Sequence, residues 1–484
     1  MNYKKIFNQI GSILLIEAAM MCLPIIIGII YGDEWKMILS FLATMALLAI
    51  VGLPLKRLKP ERDKIYAREG YFIVALVWLL MSIFGALPFV ISKSIPNFID
   101  AFFETVSGFT TTGSTILTDI ESLPRCMLFW RAFTHFIGGM GILVFVIAIL
   151  PKTEGSAMHI LRAESPGPQV GKLVSKLRAS ARILYGIYCV MTFVLIIMLK
   201  LGGMPWFDSI TNAFSTAGTG GLCVMNNSIS SYNSPYAEVV IATFMILFGV
   251  NFNLYYLILI KQGKHVLKSE ELRWYLGIIT ASVFVITLEL TFTSHPFGES
   301  LRYAYFQVAS IISTTGFSST NFDLWPTMSK MVLLLLMFIG SCAGSTGGGL
   351  KVSRLVVLFK SSVRSIRKTF SPRSVETIKF EGKPVDEEMV KSITSYLALY
   401  FIVVCLSIFG VSINGHGMIE SISGVVTCIN NVGVAFGELG PTGNFSSLSY
   451  LSKMILAFDM LAGRLELIPI FTLFSKYIIP RKYA

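Results

Sequence analysis

Ten segments of about 20 mainly apolar residues recur along this chain, near 8–30, 36–55, 71–91, 126–150, 183–201, 237–260, 274–294, 328–358, 393–413 and 449–475. At a rise of about 1.5 Å per residue, each can cross a hydrocarbon core about 30 Å thick as one helix. The 484 residues are 54% hydrophobic and 14% charged, and no stretch between the segments is long enough for an appended soluble domain. One integral membrane unit is therefore expected. The first segment exceeds the roughly 7 to 15 residues of a signal-peptide core and has no A-x-A site, so it should persist as a membrane helix. Seven cysteines form no CxxC pair. They read as small buried side chains, with neither a disulfide framework nor a zinc site.

Ten crossings put both termini on one side. Alternating the loops places 31 of the 40 Lys and Arg in segments 1–6, 55–70, 151–182, 260–273, 351–392 and 476–484. Basic loops stay cytoplasmic, so both termini are assigned inside. Topology thus accounts for the net charge of +12. A nucleic-acid role loses its motive, because these charges come with neither an aromatic platform nor a recognition helix. The inner segments 151–182 and 351–392 are either solvated loops near anionic lipid or docking sites for a regulatory partner.

Four outer connections are not ordinary loops. Residues 100–110, 208–217, 303–312 and 420–429 are moderately apolar but too short to cross a bilayer, and read as re-entrant half-helices. Each runs into a glycine-bearing turn: Thr111-Thr112-Gly113, Thr219-Gly220-Gly221, Thr314-Thr315-Gly316 and Asn431-Val432-Gly433. The last glycines are 108, 95 and 117 residues apart, marking four copies of a helix, half-helix, helix unit. Six residues before each glycine stands a hydroxyl, Ser107, Ser215, Ser310 or Thr427. Nine before it stand Glu104, Asn212 and Gln307, with Gly424 in the fourth copy. Taking Gly220 in place of Gly221 would put Phe214 at the hydroxyl position and lose the agreement. Glycines that only let helices approach, such as Gly138, Gly139 and Gly141, would not share one offset after four half-helices. The expected division is 1–66 for two extra N-terminal helices, then repeats at 67–165, 166–265, 266–375 and 376–484.

Non-helical backbone at membrane depth must be buried in protein or line a watery cavity. Four half-helices around an axis would aim C-terminal ends of roughly −0.5 charge each at the membrane centre, which favours a cation. A glycine that takes positive φ lets successive carbonyls face the axis, and four such turns make oxygen rings that replace part of an ion's hydration shell. No carboxylate occurs in 110–114, 218–222, 313–317 or 430–434, which disfavours divalent ions. K⁺ is the best match, while residue chemistry alone leaves Na⁺ open. The candidate filter is Thr111, Thr112, Gly113, Thr219, Gly220, Gly221, Thr314, Thr315, Gly316, Asn431, Val432 and Gly433.

These turns, with SCAGSTGGGLK at 341–351 and AGRLELIP at 462–469, resemble the membrane subunit of the bacterial Trk/Ktr potassium-uptake superfamily. The two helices ahead of the first repeat are similar to its TrkH and TrkG type. The resemblance spans nearly the whole chain. It implies an all-α membrane fold of four M1-P-M2 pore-loop repeats around one pseudo-fourfold pore, a homodimer in the bacterial inner membrane, and a cytosolic nucleotide-binding ring, TrkA, as regulatory partner. Potassium uptake is the implied function, with K⁺ as the transported ion and no cofactor. A Na⁺- or H⁺-coupled symporter of the same architecture is the alternative. A secondary transporter of organic solutes usually has inverted repeats, whereas these run in one direction. An enzyme would need a clustered His, Asp, Ser or Glu constellation, which the sequence lacks. Compared with the TVGYG filter of tetrameric potassium channels only the glycine is shared, and the next residue varies as Ser114, Leu222, Phe317 and Val434. Fewer defined ion sites are expected to follow.

The eighth segment is interrupted between Gly340 and Gly349 by a run that cannot stay helical at about 1 kcal/mol per glycine. Its backbone cannot face lipid, so a plug lining the pore is expected, with Gly344, Ser345, Thr346, Gly347, Gly348 and Gly349 as gate residues. The resemblance implies the same role. A phosphate loop would need Lys where Leu350 stands, and no strand-turn-helix context supports a dinucleotide fingerprint. Nucleotide control is therefore assigned to the partner. Arg464 lies inside the tenth segment, where a charge costs about 3 kcal/mol. It either stands below the filter as part of the gate, as the resemblance implies, or pairs with Glu466 or Asp459. Arg131 reads as an interfacial anchor with Trp130. His135 reads as packing, and Glu17 and Glu289 as bonded within the bundle, with proton coupling as the other reading.

Overall fold

The computed structural model describes residues 2–59, 66–141, 177–293, 295–371, 373 and 376–474. The inner end of the fourth apolar segment (142–150), most of the basic segment 151–182 and the C-terminal segment 476–484 lie outside the described residues. Among the described residues, six helices are long and apolar enough to span a membrane: Tyr3–Tyr31, Trp35–Arg57, Glu69–Ser92, Ala181–Leu201, Glu270–Thr293 and Glu387–Ser412. Their outward faces carry large apolar side chains such as Ile30, Phe284 and Phe409, which a lipid environment covers. The N-terminal pair packs Ile10, Phe41 and Leu48 into the cluster that also holds Trp78, Phe109 and Trp130. A two-residue antiparallel hairpin, Lys379–Phe380 with Lys383–Pro384, lies in the basic segment 351–392.

Four short helices occupy the stretches read as half-helices: Phe98–Phe109, Trp206–Gly218, Phe297–Ile312 and Met418–Ile429. Each follows a long helix and precedes one of 13 to 16 residues. Each has a carboxylate in its first turn (Asp100, Asp208, Glu299, Glu420), where it complements the positive end of the helix dipole. Ion pairs join the units to one another. Lys453 meets Asp100 at 2.7 Å, Arg125 meets Asp208 at 3.7 Å and Arg302 meets Glu238 at 3.2 Å. Arg354 with Glu466, together with Arg364 and Glu387, connects the third and fourth units.

The helix after each short helix departs from the expected straight span. Only the eighth segment is expected to break, yet the sixth and tenth break as well, and the helix of the fourth ends early. The first ends at Gly139, with Gly141 at φ 84. The second bends by 90° between Pro235–Phe248 and Phe252–Leu259. The third stops at Ile339 and resumes at Val352. The fourth ends at Leu465, with Glu466 at φ 62, before Leu467–Phe474. Backbone freed inside a bilayer has to find protein partners, and here it finds them on other units. The Gly249 carbonyl accepts from Cys342 N at 3.0 Å, and the Phe248 carbonyl from Thr346 Oγ1 at 3.2 Å.

Smaller expectations divide. Cys126, Cys223, Cys342 and Cys428 are buried, but Cys22, Cys189 and Cys405 are exposed on outward helix faces. Glu289 accepts from Ser329 within the bundle. Glu17 is buried without a hydrogen-bond partner for its carboxylate among the described residues.

Candidate functional site

Each short helix ends in the same turn. In the first, Thr111 N donates to the Gly108 carbonyl at 3.1 Å and Thr112 N to the Ser107 carbonyl at 2.9 Å, the double closure of a Schellman motif. The long bond recurs as Gly220 to Ser215 at 2.9 Å, Thr315 to Ser310 at 2.8 Å and Val432 to Thr427 at 2.9 Å. The motif needs a left-handed residue, and Thr111, Thr219, Thr314 and Asn431 supply it with φ between 54 and 60. A β-branched residue there costs about 1–2 kcal/mol, which persists only where the surroundings dictate it. Two residues on, Gly113, Gly221, Gly316 and Gly433 are again left-handed, with φ from 73 to 100. Two left-handed residues flanking one of ordinary conformation turn consecutive carbonyls to a common side.

The four turns meet. A Cβ on Gly113 would stand 1.8 Å from the Gly220 carbonyl oxygen. One on Gly221 would stand 2.0 Å from that of Thr315, one on Gly316 2.1 Å from that of Val432, and one on Gly433 2.2 Å from that of Thr112. Each glycine therefore touches the carbonyl that precedes the equivalent glycine of the next unit, and the fourth closes on the first. The last two residues of each turn, eight of the twelve in the candidate filter, close one ring, and Thr111, Thr219, Thr314 and Asn431 stand buried directly before them. The C-terminal ends of the four short helices converge with them.

The flanking positions brace this ring in different ways. The hydroxyls of Ser215, Ser310 and Thr427 each donate at 2.7 Å to the carbonyl of the residue after the glycine, Leu222, Phe317 or Val434. Ser107 has no such bond. Glu104 accepts from Arg131 Nε at 2.8 Å, from Thr115 Oγ1 and from Ile116 N, tying the first short helix to the helix and loop behind it. Arg131 is consequently a buried partner of Glu104 and not an interfacial anchor. Asn212 donates to Tyr232 Oη at 3.1 Å, whereas buried Gln307 has no hydrogen-bond partner among the described residues.

The Gly340–Lys351 loop lies directly against the ring. Gly348 N donates to Thr314 Oγ1 at 2.6 Å, and a Cβ on Gly348 would come within 2.3 Å of the Asn430 carbonyl oxygen. Arg464 donates to the Thr346 carbonyl at 2.7 Å and the Gly139 carbonyl at 2.7 Å, and also to that of Gly138. It pairs with neither Glu466, which meets Arg354, nor Asp459, which accepts from Ser407 at 2.7 Å. The guanidinium thus bridges the loop of the third unit to the helix end of the first. Lys351 donates back to the Gly347 carbonyl inside the loop.

Glu271 escaped the sequence reading. Its carboxylate accepts from Ala343 N at 2.7 Å and Ser353 N at 3.2 Å, holding both arms of the loop to the start of the helix Glu270–Thr293. In sequence, Glu270-Glu271 looks like an ordinary acidic first turn. Asn251 and Glu466 at the other helix breaks, and Gly141 beyond a helix end, gave only the weak signal of an isolated small or polar residue in an apolar run.

These features define a mostly helical, multi-pass membrane protein in which four short helices meet at their C-terminal ends over a largely buried loop. The family model for TrkH, described as a cation transport protein, matches residues 38–482, and the chain belongs to that family. It is 34% identical to the Trk system potassium uptake protein TrkH of Salmonella typhimurium, over 98% of this chain and 99% of that one. It is 30% identical to TrkG of Escherichia coli, over 97% of each. Among solved structures, the crystal structure of the potassium transporter TrkH from Vibrio parahaemolyticus superimposes with a TM-score of 0.89 at 29% identity, covering 99% of this chain and 100% of that one.

Proposed function

We propose that this chain takes up K⁺ across the bacterial cytoplasmic membrane through a filter of main-chain carbonyls. Residues 67–165, 166–265, 266–375 and 376–484 act as four M1-P-M2 repeats around one pore, and 1–66 adds two helices. The reading is carried by the closed ring of contacts among Gly113, Gly221, Gly316 and Gly433. Carbonyls on a common axis replace water around an ion, and convergent helix C-termini supply negative potential without a carboxylate. That combination suits a weakly hydrated monovalent cation. Potassium uptake is also the activity named for the TrkH and TrkG relatives. In three turns the carbonyl after the glycine is held by a hydroxyl, so the filter has fewer coordinating layers than a TVGYG filter.

Residues 344–349 with Arg464 are the gate. The loop blocks the path against the turns, and Arg464 both ties it down and repels cations. A homodimer on a TrkA-like cytosolic nucleotide-binding ring would reach this loop through the basic inner segments, with both termini cytoplasmic. Flux through purified protein in liposomes tests the reading, with K⁺, Na⁺ and Rb⁺ gradients clamped separately and the ring added or withheld. Downhill K⁺ and Rb⁺ movement that exceeds Na⁺ is the expected result. Movement uphill on a Na⁺ or H⁺ gradient would make the protein a symporter and overturn the channel-like reading.

A further inference from the structure

Resting on the filter reading above, we propose that His135 is the positioning residue of the second filter turn, its imidazole occupying the place of the side chain that Gly220 lacks, and that this wedge sets discrimination of K⁺ over Na⁺. The residue before the last glycine is Thr112, Thr315 or Val432 in three turns, each fully buried. Thr112 and Thr315 hydrogen-bond to hydroxyls behind their own turns, at 2.8 Å to Thr110 and 2.7 Å to Ser313. In the second turn that residue is Gly220. A Cβ placed there would meet Nδ1, Cε1 and Cγ of His135 at 2.3, 2.5 and 2.5 Å, and these are its three nearest atoms. Gly220 is not among the residues with positive φ, so its backbone accepts a side chain. The imidazole is what forbids one.

The helix that bears His135 is pressed onto this turn. A Cβ on Gly218 would lie 2.3 Å from the His135 carbonyl oxygen, and one on Gly139 would lie 2.5 Å from the Gly218 Cα. The turn itself, Gly218-Thr219-Gly220-Gly221, has three glycines in four residues and is the least self-supporting of the four. Removing the ring leaves an empty space behind the carbonyls that face the ion path. Ordinary core packing of a histidine would affect stability and leave ion preference alone.

A double-mutant cycle on the full-length protein decides it, using wild type, His135→Ala, Gly220→Ala and the double variant, with His135→Phe as a ring-retaining control. Two readouts are taken: the thermal midpoint in detergent, and the K⁺ to Na⁺ flux ratio in liposomes. Each single variant is expected to lose about tenfold in the flux ratio, with the double variant regaining most of it, as contacting residues couple. His135→Phe should keep more discrimination than His135→Ala. The proposal is overturned when Gly220→Ala is equally harmful with and without His135, or when the thermal midpoints couple while the flux ratio does not. A wild-type protein that passes no K⁺ sinks the filter reading and the selectivity role with it, and the thermal cycle still decides whether His135 fills the place at 220.

Discussion

At the scale of single residues, the ring depends on positions where a Cβ has nowhere to go. Gly113 and Gly316 are left-handed and abut a carbonyl of the next unit at 1.8 and 2.1 Å. A side chain there adds about 1–2 kcal/mol of backbone strain before the collision is counted, and relieving both displaces the carbonyls of the ring. Gly113→Ser or Gly316→Ser should therefore reduce K⁺ over Na⁺ discrimination by about tenfold or more, while the protein still inserts. Unaltered ion preference in liposome flux would count against the register. Arg131 and Glu104 form a buried pair, both almost inaccessible. Arg131→Met leaves a buried carboxylate unpaired and should destabilise by about 3–5 kcal/mol, and adding Glu104→Leu should recover part of that. Thermal unfolding in detergent measures both, and additive losses would show that the two residues are not coupled.

At the scale of elements, helix length was legible and helix interruption mostly was not. The six long spans and four short helices follow from counting apolar residues, because hydrocarbon thickness sets the length. The Gly340–Lys351 break was legible because a run of glycines cannot remain helical. The breaks at Asn251 and Glu466 and the helix end before Gly141 turn on one or two residues in an otherwise apolar stretch, and a local pattern reads straight through them. What stabilises each break is a bond from a different unit, such as Arg464 to Gly139. Deleting residues 345–349 removes the acceptor of Arg464 on Thr346 and the donor of Gly348 to Thr314. Basal K⁺ flux without any partner should rise; an unchanged closed state would take the loop out of the gate.

At the scale of the whole molecule, the distribution of charge is what predicts how the chain sits in the membrane. The segments on one side of the alternation carry most of the Lys and Arg, and the connections on the other side hold the four short helices. Orientation is testable with single cysteines in a protein whose seven native cysteines are replaced. Ser447→Cys, on the exposed connection before the last span, should react with a membrane-impermeant maleimide in intact cells. Thr369→Cys, at the exposed end of Val352–Phe370, should react only after permeabilisation. The reverse pattern would invert the topology. The same architecture explains why four unequal turns make one site. Ion pairs from Asp100 to Lys453, Asp208 to Arg125 and Glu238 to Arg302 fix neighbouring units in cyclic order.

The amino-acid sequence by itself determined the apolar segments, the one-sided charge bias of the loops and the four turns at one offset, since lipid solvation and internal repetition act along the chain. Only the tertiary structure decided that the turns close on one another, that Glu104 neutralises Arg131, that His135 stands where residue 220 has no side chain, and that Arg464 holds the loop. Arg464 and Gly138 are 326 positions apart. Such partners are chosen by how the units pack around a common centre, and the pattern of neighbouring residues carries no record of which distant carbonyl a guanidinium will meet.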